Sequence, residues 1–269
     1  MDKVAFFKML EKLSVTINDA QWEQFNEYFN TLIEWNEFMN LTSITEYDEV
    51  LIKHFADSVA IKKAIVDISR EDSDFADINK ENSGFVNDNR KDSSFADILK
   101  GASIIDVGTG AGFPGLPLKI AFPDTKVMLL DSLNKRVKFL NEVINRLQLT
   151  GIEAVHARAE EGARKPELRE AYDIGVSRAV ANLSTLSEYV LPFIKVGGYF
   201  AAYKSGEVDE EAEQASNAVK MLGGTISRVY KFTLPDTDID RSIVFIKKIK
   251  NTSKKYPRKA GLPSKEPLK

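Results

Sequence analysis

One stretch limits what this chain can fold into more than any other. Residues 104–118 read IIDVGTGAGFPGLPL, with four glycines inside eight residues, directly after a run of β-branched side chains. β-Branched residues favour a strand. Glycine in such density strips side chains away and permits positive φ, so something must approach the backbone closely here. Gly110, Gly112 and Gly115 match the G-x-G-x-x-G spacing of dinucleotide loops, a weak signal taken alone. The context strengthens it: a strand precedes, a helix follows, and the next strand ends in Asp131, nineteen residues past Gly112. A carboxylate there accepts both hydroxyls of a ribose. Asp106, immediately ahead of the loop, adds negative charge that suits a cationic ligand better than a pyrophosphate. Each acid also has a plainer reading: Asp106 as a cap or loop brace, Asp131 as the N-cap of the next helix.

From Gly101 onward strands and helices alternate, which implies a parallel sheet covered on both faces. Strands are expected at Ser103–Val107, Lys126–Leu130, Glu153–His156, Tyr172–Ser177 and Tyr199–Lys204, with helices at Leu133–Gln148 and Val208–Leu222. The last two strands, Thr225–Leu234 and Arg241–Ile249, flank the turn-rich PDTDID and should form a hairpin, ending the sheet with a reversed strand. That closure, with Asp106 facing a positive sulfonium, points to S-adenosylmethionine rather than NAD. The expected fold class is α/β: a Rossmann-like class I methyltransferase fold with a seven-stranded, mostly parallel sheet, one antiparallel strand and an N-terminal helical extension.

Four segments follow: a helical extension at 1–64, an insert at 65–100, the core at 101–250 and a basic tail at 251–269. In the extension, Trp22, Phe25, Phe29, Leu32 and Ile33 make an apolar stripe after the N-cap Asn18. The insert repeats every ten residues (EDSDFADINK, ENSGFVNDNR, KDSSFADILK) and is acidic and polar, which reads as a solvated linker with little fixed structure. The alternative is a docking element using Phe75, Phe85 and Phe95. The net charge of −3 hides an asymmetry between this acidic insert and nine Lys/Arg against one acid in residues 247–269. The chain has no cysteine and two histidines, His54 and His156, so thiolate chemistry is excluded and no metal is expected. No apolar run reaches the roughly 20 residues needed to span a bilayer, and MDKVAFFKMLEKL is not a signal peptide. A cytoplasmic protein without membrane attachment is expected.

WNEFMNLTSI (35–44), HFADS (54–58), DVGTGAGFPGLPL, LLDSLNKRVKFL, HARAEE, VSRAVA and the tail KKYPRKAGLPSKEP together resemble the RsmG (GidB) family of ribosomal small-subunit methyltransferases, which modify a guanine N7 in 16S rRNA. The similarity covers nearly the whole chain apart from the repeats. It implies cofactor contacts at Gly108 and Phe113 in the loop, Ala159 and Glu160 after the third strand, and Arg178 after the fourth, beside Asp106, Gly110 and Asp131. The implied partner is 16S rRNA or the small ribosomal subunit, met by a monomer.

The missing cysteine excludes covalent activation of a pyrimidine. VSRAV lacks the N/D-P-P-Y sequence expected for exocyclic amines. Guanine N7 needs neither, because it carries an in-plane lone pair and no proton has to leave. Holding the reactants in line then does most of the catalysis, with no general base. Arg178, Lys204 at the end of the fifth strand and Arg241 at the start of the last strand are the candidates for orienting the nucleotide. His54 and Asp57 share a helix face, either at the site entrance or as a structural pair tying the extension to the core; the structural pair is slightly favoured. The tail is expected to be extended and mobile unless docked, neutralising RNA phosphates; packing across the N-terminal helices is the alternative. The competing functions are an NAD(P)-dependent oxidoreductase and a non-catalytic ribosome-assembly factor retaining the fold.

Overall fold

The computed structural model describes residues 1–82, 93–178 and 181–269. Strands β1 (Ser103–Val107), β2 (Lys126–Asp131), β3 (Ile152–His156), β4 (Tyr172–Arg178), β5 (Ile194–Ser205), β6 (Gly224–Thr233) and β7 (Asp240–Lys248) form a single seven-stranded sheet in the order β3-β2-β1-β4-β5-β7-β6. All neighbours from β3 to β5 pair in parallel, while β7 runs antiparallel to both β5 and β6. The reversed strand therefore lies one place in from the edge rather than at it. Its sequence explains the placement: SIVFI is apolar on both faces and fully buried, whereas ISRVYKF alternates and tolerates an edge.

Period-two alternation splits the core in two. Ile104, Leu129, Tyr203, Ile243 and Phe245 face one layer; Ile105, Leu130, Ala202, Val244 and Ile246 face the other. Helices α1 (Lys3–Lys12), α2 (Asp19–Met39), α3 (Tyr47–Val50), α4 (Asp57–Val59), α5 (Ile61–Asn82) and α6 (Ser93–Ala96) cover the first face together with α7 (Gly115–Ala121) and α8 (Asn134–Arg146). Helices α10 (Leu183–Val190) and α11 (Asp209–Met221) cover the second, with α9 (Ala159–Gly162) and α12 (Leu262–Lys265) beside them. The N-terminal helices are thus a layer of the core, their Phe6, Phe25, Tyr28 and Phe55 being completely buried. Asn18 does cap α2, in a reciprocal capping box with Gln21.

The repeat segment joins this layer at both ends. Helix α5 runs through residue 65 without a break, because Ile61, Ala64, Ile65 and Ile68 continue one apolar stripe and are buried. Phe95 is also buried, 5.0 Å from the Tyr199 ring and 5.4 Å from that of Phe245. Phe85 and the side chain of Phe75 lie outside the described residues. The basic tail is docked too, on the α10 side rather than across the N-terminal helices. Arg258 reaches the buried Glu188 through Nε and Nη2 at 2.7–3.1 Å, Arg164 donates to the Pro257 carbonyl at 2.5 Å and Thr185 to that of Pro263 at 3.0 Å.

Candidate functional site

The glycine loop is sewn to β2 by its backbone. Gly108 and Thr109 both donate to the Leu130 carbonyl, at 2.8 and 3.2 Å. Asp131 then holds the loop from the end of β2: one oxygen accepts from Gly110 N at 2.9 Å, the other from Leu133 N at 2.8 Å. Asp106 braces it from below. Its Oδ2 accepts from the Thr109 hydroxyl at 2.6 Å and from Gly115 N at 2.8 Å, at the start of α7. Oδ1 has no partner among the described residues, and complete burial pushes the carboxyl up to about 7 despite those two donors.

The glycines do two separable jobs. A Cβ on Gly112 would sit 2.3 Å from Leu116 Cδ1 and 2.7 Å from the Tyr28 hydroxyl, so Gly112 serves packing. Gly110, at φ +62°, has nothing within 4 Å of where a Cβ would stand, so its bare backbone faces open space. That is the opening a ligand would use, with the Asp131 carboxylate at its side.

Phe113 closes the loop and begins a second region. Its ring stacks on Tyr28 at 5.4 Å and on His54 at 4.4 Å, and the Arg178 guanidinium lies 5.0 Å from its centroid. His54 belongs to a π-helical stretch, Leu51–Ala56, between α3 and α4. Such turns are rare and concentrate at functional sites. Arg178 Nη2 faces His54 Nδ1 at 3.2 Å, and a guanidinium only donates, so Nδ1 is the acceptor and Nε2 carries the proton toward Thr42 Oγ1 at 2.9 Å. Burial, then the neighbouring Arg178 charge, hold His54 neutral, pushing it down to about 3.

Beyond Phe113 lies a cavity of about 490 Å³ lined by Lys53, Arg178, Lys204 and Arg241, with Asp57, Glu211, Tyr203 and Phe232 among its walls. Three of its cations are those singled out from the sequence, delivered by the ends of β4 and β5 and the start of the reversed β7. Asp57 ties two of them together, accepting from Arg178 Nη1 and from Arg241 Nε, each at 3.1 Å. Lys204 donates to the Ala181 carbonyl at 2.9 Å and to Glu211 at 2.7 Å. Lys53 also pairs with Glu49 at 2.6 Å, so four cations face three carboxylates and the cavity stays positive, which suits an anionic ligand. His54 and Asp57 therefore join the helical layer to the core and line the cavity at once.

The remaining residues lie around this rim or away from it. Ala159 opens α9, and the neighbouring Glu160 is buried and accepts from Gly261 N at 2.8 Å, so the docked tail covers it. His156 ends β3 and bonds the Ser132 carbonyl at 3.0 Å. Sequence reading missed Lys53 and Tyr203. Lys53 adjoins His54 in the quoted HFADS stretch, but nothing in the sequence announces the π turn that presents it. Among the described residues no group of three metal-ligating side chains forms, and no helix is long and apolar enough to cross a membrane.

Comparison with known proteins follows the same outline. Residues 21–79 and 92–244 match the profile of a family described as rRNA small subunit methyltransferase G, so that only 80–91, about one repeat, interrupts the match. A protein of Lachnoclostridium phytofermentans named Ribosomal RNA small subunit methyltransferase G is 49% identical over 267 residues, 99% of this chain and 98% of that one. One of the same name from Acetivibrio thermocellus is 48% identical over 254 residues, 94% of this chain and 91% of that one. Among solved structures, a SAM dependent methyltransferase from Aquifex aeolicus is similar over 55% of this chain and 82% of that one, at 21% identity and a TM-score of 0.42.

Proposed function

The chain belongs to the rRNA small subunit methyltransferase G family, and from that premise we propose that it moves a methyl group from S-adenosylmethionine to N7 of a guanine in 16S rRNA. The observation that carries the reading is the adjacency of two features: a bare glycine loop held by Asp131, and beside it a basic cavity, joined where the cavity's Arg178 lies over the ring of the loop's Phe113.

The residues fit the cofactor. Open space at Gly110 leaves the loop backbone accessible, and Asp131 sits at the strand end where a ribose is held. Gly108, Gly110, Phe113, Asp131, Ala159 and Arg178 would hold the nucleoside, while Glu160, engaged by Gly261 of the tail, would act through the start of α9. Asp106 acts through the loop, as a buried brace that holds Thr109 and the start of α7. When bound, S-adenosylmethionine supplies an electrophilic methyl group on that sulfur.

Everything else falls to the chain. Arg178, Lys204 and Arg241 orient the nucleotide in the cavity. Lys204 and Arg241 are mostly buried, so their charges are screened less than surface charges. The groups best placed to act as a base are already engaged: both His54 ring nitrogens are hydrogen-bonded, and both Asp57 oxygens hold guanidiniums. A site without a ready base suits N7, whose lone pair is available with no deprotonation. N7 of a paired guanine lies in RNA's narrow major groove, so the target sits in a loop or junction, or is turned out of its stack. A protein acting on ribosomal RNA works in the cytoplasm, and nothing in the cavity calls for a second copy. The exposed tail lysines Lys254, Lys255 and Lys259 neutralise further RNA phosphates.

The test combines calorimetry with S-adenosylmethionine and with NAD, and mass spectrometry of 16S rRNA incubated with the protein, both naked and within the small subunit. N7-methylguanosine at one position is the expected product. Binding of NAD alone, or a methyl group on another atom, would overturn the proposal.

A further inference from the structure

Asp57 stands out because two cavity arginines converge on it from far apart in the chain. Arg178 is the last residue of β4 and Arg241 the second of β7, 121 and 184 residues away from Asp57. Their shared carboxylate is 5% exposed. Each oxygen takes one guanidinium, Oδ2 from Arg178 and Oδ1 from Arg241, so the two cations cannot approach or swing independently. The backbone beneath reinforces the arrangement: the Lys53 carbonyl in the π turn accepts from Arg178 Nη1 at 3.2 Å, and Tyr203 on β5 donates to the Ser58 carbonyl at 2.7 Å. For binding a polyanion this is an odd choice, since a carboxylate in a basic cavity weakens its attraction for phosphate. A residue that lowers affinity yet engages two binding groups is best explained by geometry.

We propose that Asp57 is a positioning residue for the nucleotide: it sets the separation and angle of Arg178 and Arg241, giving up RNA affinity to align the target base with the cofactor loop. The proposal rests on the cavity being the rRNA site. It predicts that removing the carboxylate lowers turnover with no loss of RNA affinity, which a residue serving only stability would not do.

The test is Asp57→Asn, which keeps the shape and removes the charge, assayed per cofactor-binding site as counted by calorimetric titration. The expected result is a fall in kcat of about 10- to 100-fold, while KM for rRNA stays level or falls and its salt dependence steepens by about one phosphate contact. Native kcat, or a KM that rises as kcat falls, would overturn the proposal. Asp57→Glu retains the charge but displaces it by one methylene, and should recover part of kcat at native KM. If the Asn variant does not fold, the Glu variant decides: a lower kcat per site at native KM supports positioning, and wholly native kinetics refute it. Lys204→Gln separates this outcome from failure of the cavity reading, because Lys204 does not touch Asp57. If Lys204→Gln leaves methylation unchanged, the cavity is not the RNA site; if it raises KM while Asp57→Asn is silent, only the positioning role falls.

Discussion

The two halves of the rim are made in opposite ways. The cofactor half is built mainly from one continuous stretch, Asp106 to Asp131, whose strand, loop and helix are local partners, with Ala159 and Arg178 added from beyond it. The cavity half gathers side chains from Ile44 to Ile243, through the π turn, two parallel strand ends and one reversed strand start. A local site is specified by spacing and resists small shifts elsewhere. A gathered site depends on every layer packing correctly, because its cations come from separate elements and meet only through side chains such as Asp57.

Separate variants should strike the halves separately. Asp131→Ala is expected to have the largest effect, weakening S-adenosylmethionine about 100-fold (~3 kcal/mol), since it removes the proposed acceptor for the ribose and the brace on Gly110. Calorimetry checks this, with KM for rRNA unchanged; a cofactor affinity within threefold of native would break the contrast.

His54 probes the seam between the halves through pH. Its folded value of about 3 lies below the ordinary 6.5, so its contribution to stability is present above pH 6.5 and is lost as pH falls toward 3. Between pH 6.5 and 5 that amounts to about 2 kcal/mol. Asp106 acts in the opposite sense: raised from 3.8 to about 7, it contributes stability at low pH that disappears as pH rises through 7. His54→Gln should therefore lose less stability than the native chain between pH 7 and 5 in chemical denaturation. Parallel curves would show that the imidazole is not held neutral.

Arg241→Gln is expected to raise KM for rRNA about 10-fold (~1.4 kcal/mol) while leaving cofactor affinity alone. A matching loss of cofactor binding would mean that the halves are not separable. The smallest change should come from replacing Lys254, Lys255 and Lys259 with Gln: little loss at low salt, but a log–log salt slope shallower by about 2. An unchanged slope would remove the tail from the RNA surface.

The same contrast explains what the sequence disclosed. Strand ends carrying Asp131, Arg178 and Lys204 were legible because alternation marks strands and the rim of a parallel sheet lies at their C-terminal ends. The bracing of Asp106 was legible only as an alternative, since the same D-x-G-x-G spacing serves a cap or a ligand. Asp57's two arginines were not legible, because no short-range pattern links residues 121 and 184 positions apart. Nor was the tail's seat: Glu188 looks like any helix acid until Arg258 meets it. The repeat segment misled because its polar composition conceals Ile65, Ile68 and Phe95, which the helical layer buries.

The reversed strand β7 also sets an order of events during synthesis. A parallel strand brings its last residue to the rim, but β7 brings its second, Arg241, and it is the last strand of the sheet to be made. While the protein is still emerging from a ribosome, the stretch through Asp131 is available long before the cavity has its full set of cations. Gly261, still later, supplies the backbone donor to Glu160. A chain cut before residue 241 would keep the glycine loop with Asp131 but lack one of the four cations that line the cavity.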